Sequence, residues 1–197
     1  MKPEDRPMEG RAVKPLRPDA QRSLDALLQA AKEIFAEAGV DAPMRDIASK
    51  AGLGVGTVYR HFPQRSDLIA AVFRREIEDC ANFADELAAT HAPFEALQLW
   101  MQRFSAFFAT KKGLSGALHS GEPAYVALPN HFDERLRPAL QRLLIAASTA
   151  QRIRSDITAD ELLHAIARLS MSDSAGPAQA QRMVALLANG LRIEAAR

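Results

Sequence analysis

Apolar residues recur along most of the chain at the three- and four-residue spacing that lines one face of an α-helix. Leu24, Leu27, Leu28, Ala31, Ile34, Phe35 and Ala38 form the first stripe, opening at Asp19. Gly39 follows it and suits the left-handed position beyond a helix end. A shorter stripe holds Met44, Ile47, Ala48 and Ala51, with Pro43 suited to its first helical position and Gly52 closing it. Leu53-Gly54 alone separates it from a third segment, Val55-Gly56-Thr57-Val58-Tyr59-Arg60-His61-Phe62, which Pro63 stops. That segment is so short that it needs Val58 and Phe62 packed against neighbours to persist as a helix.

From about residue 64 a long stripe carries Leu68, Ile69, Val72, Phe73, Ile77, Cys80, Phe83 and Leu87. Pro93 opens another, with Phe94, Leu97, Trp100, Met101, Phe104, Phe107 and Phe108. Gly113, Gly116 and Gly121 punctuate an irregular stretch, after which Leu136, Leu140, Leu143, Leu144 and Ala147 mark a further helix. The last two stripes run over about 158–172 and 178–193, parted by Ser174-Ala175-Gly176-Pro177. No β-type alternation and no internal repeat interrupts this pattern, which predicts an all-α fold of about nine helices. The expected organisation is a disordered arm over 1–18, where four prolines sit among charged residues, a compact head of three helices over 19–65, and a larger helical domain over 66–197.

Composition narrows the class. With 197 residues, 48% hydrophobic and 25% charged, the chain is neither disordered throughout nor collagen-like. A single cysteine, Cys80, rules out an intrachain disulfide and fits a reducing compartment. No apolar run approaches the length of a membrane span, and the first 18 residues hold no signal-type apolar core, so a cytoplasmic location is expected. The net charge of +1 conceals an asymmetry: residues 1–75 carry 13 Lys/Arg against 10 Asp/Glu, and the remainder 12 against 14. That permits nucleic-acid contact through one end. Lys2, Arg6, Arg11, Lys14 and Arg17 of the arm are placed either to follow a phosphate backbone or to solvate a tail.

Three short helices, the second and third joined by a glycine-containing turn, describe a helix-turn-helix. The second must cross the sugar-phosphate backbone while the third enters a major groove about 12 Å wide, and the turn fixes the angle between them. Side chains directed away from Val58 and Phe62 then face DNA: Thr57 and Arg60, with Val55 and Gly56 at the start. The run Gly52-Leu53-Gly54-Val55-Gly56 has no preceding strand and the wrong glycine spacing for a dinucleotide loop.

The residues also carry a resemblance. Leu27-Leu28-x-Ala30-Ala31-x-x-x-Phe35-x-x-x-Gly39 resembles the first helix of the tetracycline-repressor (TetR) family. Ile47-Ala48-x-x-Ala51-Gly52-Leu53-Gly54-x-Gly56-Thr57-Val58-Tyr59-Arg60-His61-Phe62-Pro63-x-Arg65-x-x-Leu68 is similar to that family's signature nearly position for position. The resemblance implies a homodimeric, ligand-responsive transcription regulator, usually a repressor, acting on a pseudo-palindromic double-stranded DNA operator, with no cofactor. It implies phosphate contacts from Tyr59, His61 and Arg65, and base contacts from Arg45, Thr57 and Arg60. Arg65 stands where the family usually has Lys, and Ala42-Pro43 stands where it often has a hydroxyl residue. Val55 and Gly56 offer no side-chain donor, which leaves thymine-methyl contact or DNA shape for readout there.

In the remaining two-thirds, Trp100, Phe104, Phe107 and Phe108, with Leu118, His119, Tyr125 and Phe132 nearby, are candidates to line an apolar effector cavity, or else ordinary core. His119, His131 and Glu122 lack metal-ligand spacing, and Ser115 or Ser120 with His119 and Asp133 lacks a nucleophile-elbow sequence. Leu162, Leu163, Ile166 and Leu169, then Val184, Leu187 and Leu191, suit a four-helix interface with a second copy, or an interior hairpin. The competing function is a helical ligand-binding protein or enzyme with a vestigial helix-turn-helix.

Overall fold

Eight α-helices and one 3-10 turn make up the described residues, 18–109, 122–171 and 176–193, of a computed structural model. They are α1 Pro18–Ala38, α2 Met44–Lys50, α3 Val55–His61, α4 Arg65–Thr90, α5 Pro93–Ala109, the 3-10 turn Pro123–Tyr125, α6 Leu128–Thr149, α7 Ala159–Ser170 and α8 Pro177–Gly190. Extended pairing among the described residues is limited to one isolated bridge between Ile153 and Arg192, so the fold is all-α as the periodicity predicts.

Each stop signal acts through its backbone. Gly39 takes φ +84° and donates to the carbonyl of Phe35 at 3.0 Å, closing α1. Gly52 takes φ +67°; its N–H reaches Ser49 at 3.1 Å while that of Leu53 reaches Ala48 at 2.9 Å. These paired bonds satisfy carbonyls that α2 would otherwise leave open, and they fix the direction in which the chain departs. Pro43 differs from expectation by one position. Its ψ of 135° is extended, so it is the N-cap of α2 rather than its first helical residue.

Helix α4 begins with a reciprocal cap between Gln64 and Asp67 and runs for 26 residues, about 39 Å. Its early turns pack on α1, and it also packs on α5 and α6. Helix α5 in turn touches α6, α7 and α8, which makes it the centre of the body. One apolar core runs without a break from Leu27 and Ile47 in the head to Leu140, Ile166 and Val184 in the body. Head and body are therefore joined by packed side chains as well as by the continuous backbone of α4. The expected boundary between residues 65 and 66 falls inside the first turn of α4.

Candidate nucleic-acid interface

Seven residues form α3, and Val58 is the one among them whose side chain is buried. Phe62, just past its end, packs half-buried against the core and donates its N–H to Val58 at 2.8 Å. Two apolar anchors on one side hold the helix down, and the opposite side is open. Tyr59 is 50% exposed and Val55 40% exposed. Arg60 is exposed, with Thr57 and His61 at the margin. A Cβ on Gly56 would meet nothing within 4 Å, so no contact within the chain demands a glycine there.

The guanidinium of Arg60 donates from Nη2 to Thr57 Oγ1 at 2.8 Å, one turn back on the same face. This bond reduces the rotamer freedom of a long cation and leaves most of its donors pointing outward. Arg45 on α2 is also exposed, with Asp46 3.4 Å from its Nε. Arg65 is placed differently. Its Nη1 donates to the carbonyls of Val40 at 2.9 Å and Ala42 at 2.5 Å, tying the first turn of α4 to the loop between α1 and α2. Among the described residues its Nε and Nη2 have no hydrogen-bond partner.

Tyr125, expected near the aromatic cluster, sits buried in the 3-10 turn against α4. Burial pushes its phenol pKa up, Glu122 adds to the rise, and nearby Arg65 opposes it, with Asp41 and Asp67 also within electrostatic reach. It therefore lies beside the junction of head and body. Nothing in the sequence pattern signals this neighbourhood, because residues 65 and 125 are joined by no periodicity.

Trp100, Phe104 and Phe107 are buried and Phe108 half-buried. Phe104 stacks on Trp100 at 5.2 Å between centroids and meets Phe108 edge-on at 5.0 Å; Phe132 of α6 joins them at 5.8 Å from Phe104. The indole N–H of Trp100 donates to the Cys80 carbonyl at 2.9 Å. These rings thus pack on one another as part of the core. Leu118 and His119 lie outside the described residues, as does the arm over 1–17.

Of the leucine-rich pair of helices, Leu162, Leu163, Ile166, Val184 and Leu191 are buried within the single chain, and Leu169 and Leu187 are half-buried. The inward stripe of α7 and α8 is used against α5. Apolar side chains left outside include Leu186 at 63% exposure, Met171 at 53% and Ile193 at 45%.

A glycine-turned helix pair whose second member is anchored on one side and open on the other defines a helix-turn-helix protein. A family model described as "Bacterial regulatory proteins, tetR family" matches residues 27–72, and one described as "Transcriptional regulator SbtR-like, C-terminal domain" matches residues 92–193, more than half of the chain. The chain belongs to the tetR family, a class of transcriptional regulators and not of enzymes. It is similar to a TetR transcriptional regulator from Streptomyces coelicolor, with 36% identity and a TM-score of 0.75 over 87% of this chain and 99% of that one. For a TetR regulatory protein from Mycobacterium vanbaalenii the identity is 34% and the TM-score 0.71, over 91% of this chain and 100% of that one. A curated HTH-type transcriptional regulator of Staphylococcus aureus is 30% identical over 108 residues, 54% of this chain and 58% of the relative. The chain thus spans little more than half the length of the curated relatives it matches. No helix among the described residues is long and apolar enough to cross a membrane.

Proposed function

We propose that this chain is a sequence-specific DNA-binding regulator that acts in the cytoplasm as a homodimer and represses transcription by occupying its operator. The observation that carries the reading is the outer face of α3, where Val55, Gly56, Tyr59 and Arg60 are exposed around a single buried anchor, Val58. In a dimer, two such helices enter successive major grooves about 34–36 Å apart. Arg45, Thr57 and Arg60 address base edges. Tyr59, His61 and the free donors of Arg65 address phosphates, and Val55 offers a surface for a thymine methyl. The absent side chain at Gly56 lets the sugar-phosphate backbone or a base edge approach the helix.

The exposed Leu186 and Met171, with half-buried Leu169 and Leu187, supply the apolar surface for a second copy. Release from DNA follows when a small, largely apolar effector enters among Trp100, Phe104, Phe107 and Phe108. Those rings are in mutual contact, so the effector must part them, and the displacement passes to α4, whose first turn holds the head through Arg65. A coupling of about 1–3 kcal/mol is enough for a useful switch.

The test is fluorescence anisotropy with the full chain and duplex fragments from upstream of its own coding sequence, at low and moderate salt. Saturable, salt-dependent binding that Arg60→Ala weakens supports the proposal. If every fragment stays unbound at low salt, the proposal is overturned.

A further inference from the structure

At the end of α4 away from the head, the start of α5 and the ends of α6 and α8 enclose a half-open cleft of about 340 Å³. Its walls are apolar, formed by Pro93, Phe94 and Ala150, and its rim carries Arg152, Arg192 and Glu95. The guanidinium carbon of Arg192 lies 4.7 Å from the centroid of the Phe94 ring, which holds that cation over the apolar wall.

The two arginines are set by backbone rather than chance. Gln151 takes φ +52°, a conformation that glycine adopts more easily, and this turns the chain sharply out of α6. The N–H of Arg152 then returns to Ala147 at 3.0 Å. Ile153 pairs opposite Arg192, with Arg154 donating to Leu191 at 2.9 Å and Ile193 donating to Arg152 at 3.3 Å. Ile153 and Leu191 are buried beneath this bridge and fix it to the body.

Among the described residues no carboxylate lies within ion-pair distance of Arg152 or Arg192, not even Glu95 of the same cleft, whereas the neighbouring Arg154 is matched by Asp156. Among its described lining residues, two cations stand against one anion, an excess of positive charge beside apolar side chains. We propose that it binds a small organic carboxylate with an aromatic or branched apolar body. Arg152 and Arg192 take the carboxylate, and Phe94, Pro93 and Ala150 take the body. The site is separated from α3 by the length of α4, about 39 Å for its 26 residues, and does not depend on the DNA-binding reading.

Titration calorimetry on the full chain tests this with three probes: benzoate, benzyl alcohol, which has a similar shape without the charge, and inorganic phosphate, which has charge without a body. Saturable benzoate binding is expected at millimolar concentration, weakened by about tenfold or more in the Arg152→Gln/Arg192→Gln variant with its circular dichroism unchanged. Arg192→Lys, which keeps the charge but loses the planar stack, should fall between. Should the double variant fail to fold, Arg152→Gln alone gives the same readout, since that side chain is exposed. Absence of saturable benzoate binding overturns the proposal, as does equal binding of benzyl alcohol or phosphate, or benzoate binding indifferent to the substitutions.

Discussion

The ammonium of Lys32, on α1, lies 2.5 Å from the carboxylate of Glu76, on α4, where Glu76 is buried. Arg103 of α5 approaches the other carboxylate oxygen at 3.9 Å. One buried anion is thus held between a cation of the head and a cation of the body. A buried charge is tolerated when compensated and costly when not, so any rotation that draws α1 away from α5 must leave Glu76 short of a partner. The packed core makes head and body continuous, and this group gives the junction a preferred alignment.

Removing that anion should be costly. Glu76→Gln is expected to destabilise the fold by about 3 kcal/mol, the low end for breaking a buried pair, because Lys32 keeps part of its surface in water. Urea denaturation checks it. The Lys32→Met/Glu76→Met double variant should lose less than the sum of the two single losses, since the one charge then left without its partner, on Arg103, is the more distant and keeps part of its surface in water.

The two glycines of the helix-turn-helix should part company. Gly52→Ala places a side chain at φ +67° and should cost about 1–2 kcal/mol, for conformational rather than steric reasons. Gly56→Ala sits in a helix with open space around it and should raise thermal stability by about 0.5–1 kcal/mol while weakening operator binding. A Gly56→Ala protein that binds DNA as well as the parent would remove the close-approach role.

Arg60→Ala should leave stability within about 0.5 kcal/mol and lose about 1–3 kcal/mol of discrimination at one base pair of each half-site. Thr57→Val frees the guanidinium without removing it, so a smaller loss at the same base pair is expected. Binding-site selection from a randomised half-site library reads both.

For the dimer, Leu186→Glu alters an exposed side chain and should convert the protein to monomer in light scattering with its helicity intact. Leu162→Ala, in the buried stripe, should instead cost about 2–5 kcal/mol in stability. A dimer unaffected by Leu186→Glu would place the contact surface elsewhere.

Acid should weaken the start of α7. The backbone N–H of Thr158, with its hydroxyl, holds the Glu161 carboxyl below its usual range. A lowered pKa in the folded state contributes stability that is complete above the ordinary value of 4.5 and is lost as pH falls through the lower one. The stability difference between the parent and Glu161→Gln, from melts at several pH values, should therefore shrink in acid.

Local rules were enough to find a stripe in each of the eight described helices, one fewer than the nine expected, because periodicity, proline and glycine act over a few residues; they did not place the start of α6, which opens at Leu128 and runs through Pro138. Gly39 and Gly52 end helices by φ alone, and Val58 and Phe62 are the anchors of α3 because they are its apolar pair on one side. The ordered string from Ile47 to Leu68 also carried the family, since a helix-turn-helix is a local object. What periodicity could not assign was the use of each apolar face. Leu162 and Val184 read equally well as a seam between copies or as interior, and only the position of α5 decided that they pack inward, leaving Leu186 and Met171 outside. The same holds for Tyr125, brought beside Arg65 and Asp67, for Phe132, added to the ring cluster, and for Glu76, whose partners come from residues 32 and 103. Those neighbours are far apart in sequence, and a stripe of hydrophobic residues states that a face is buried without stating against what.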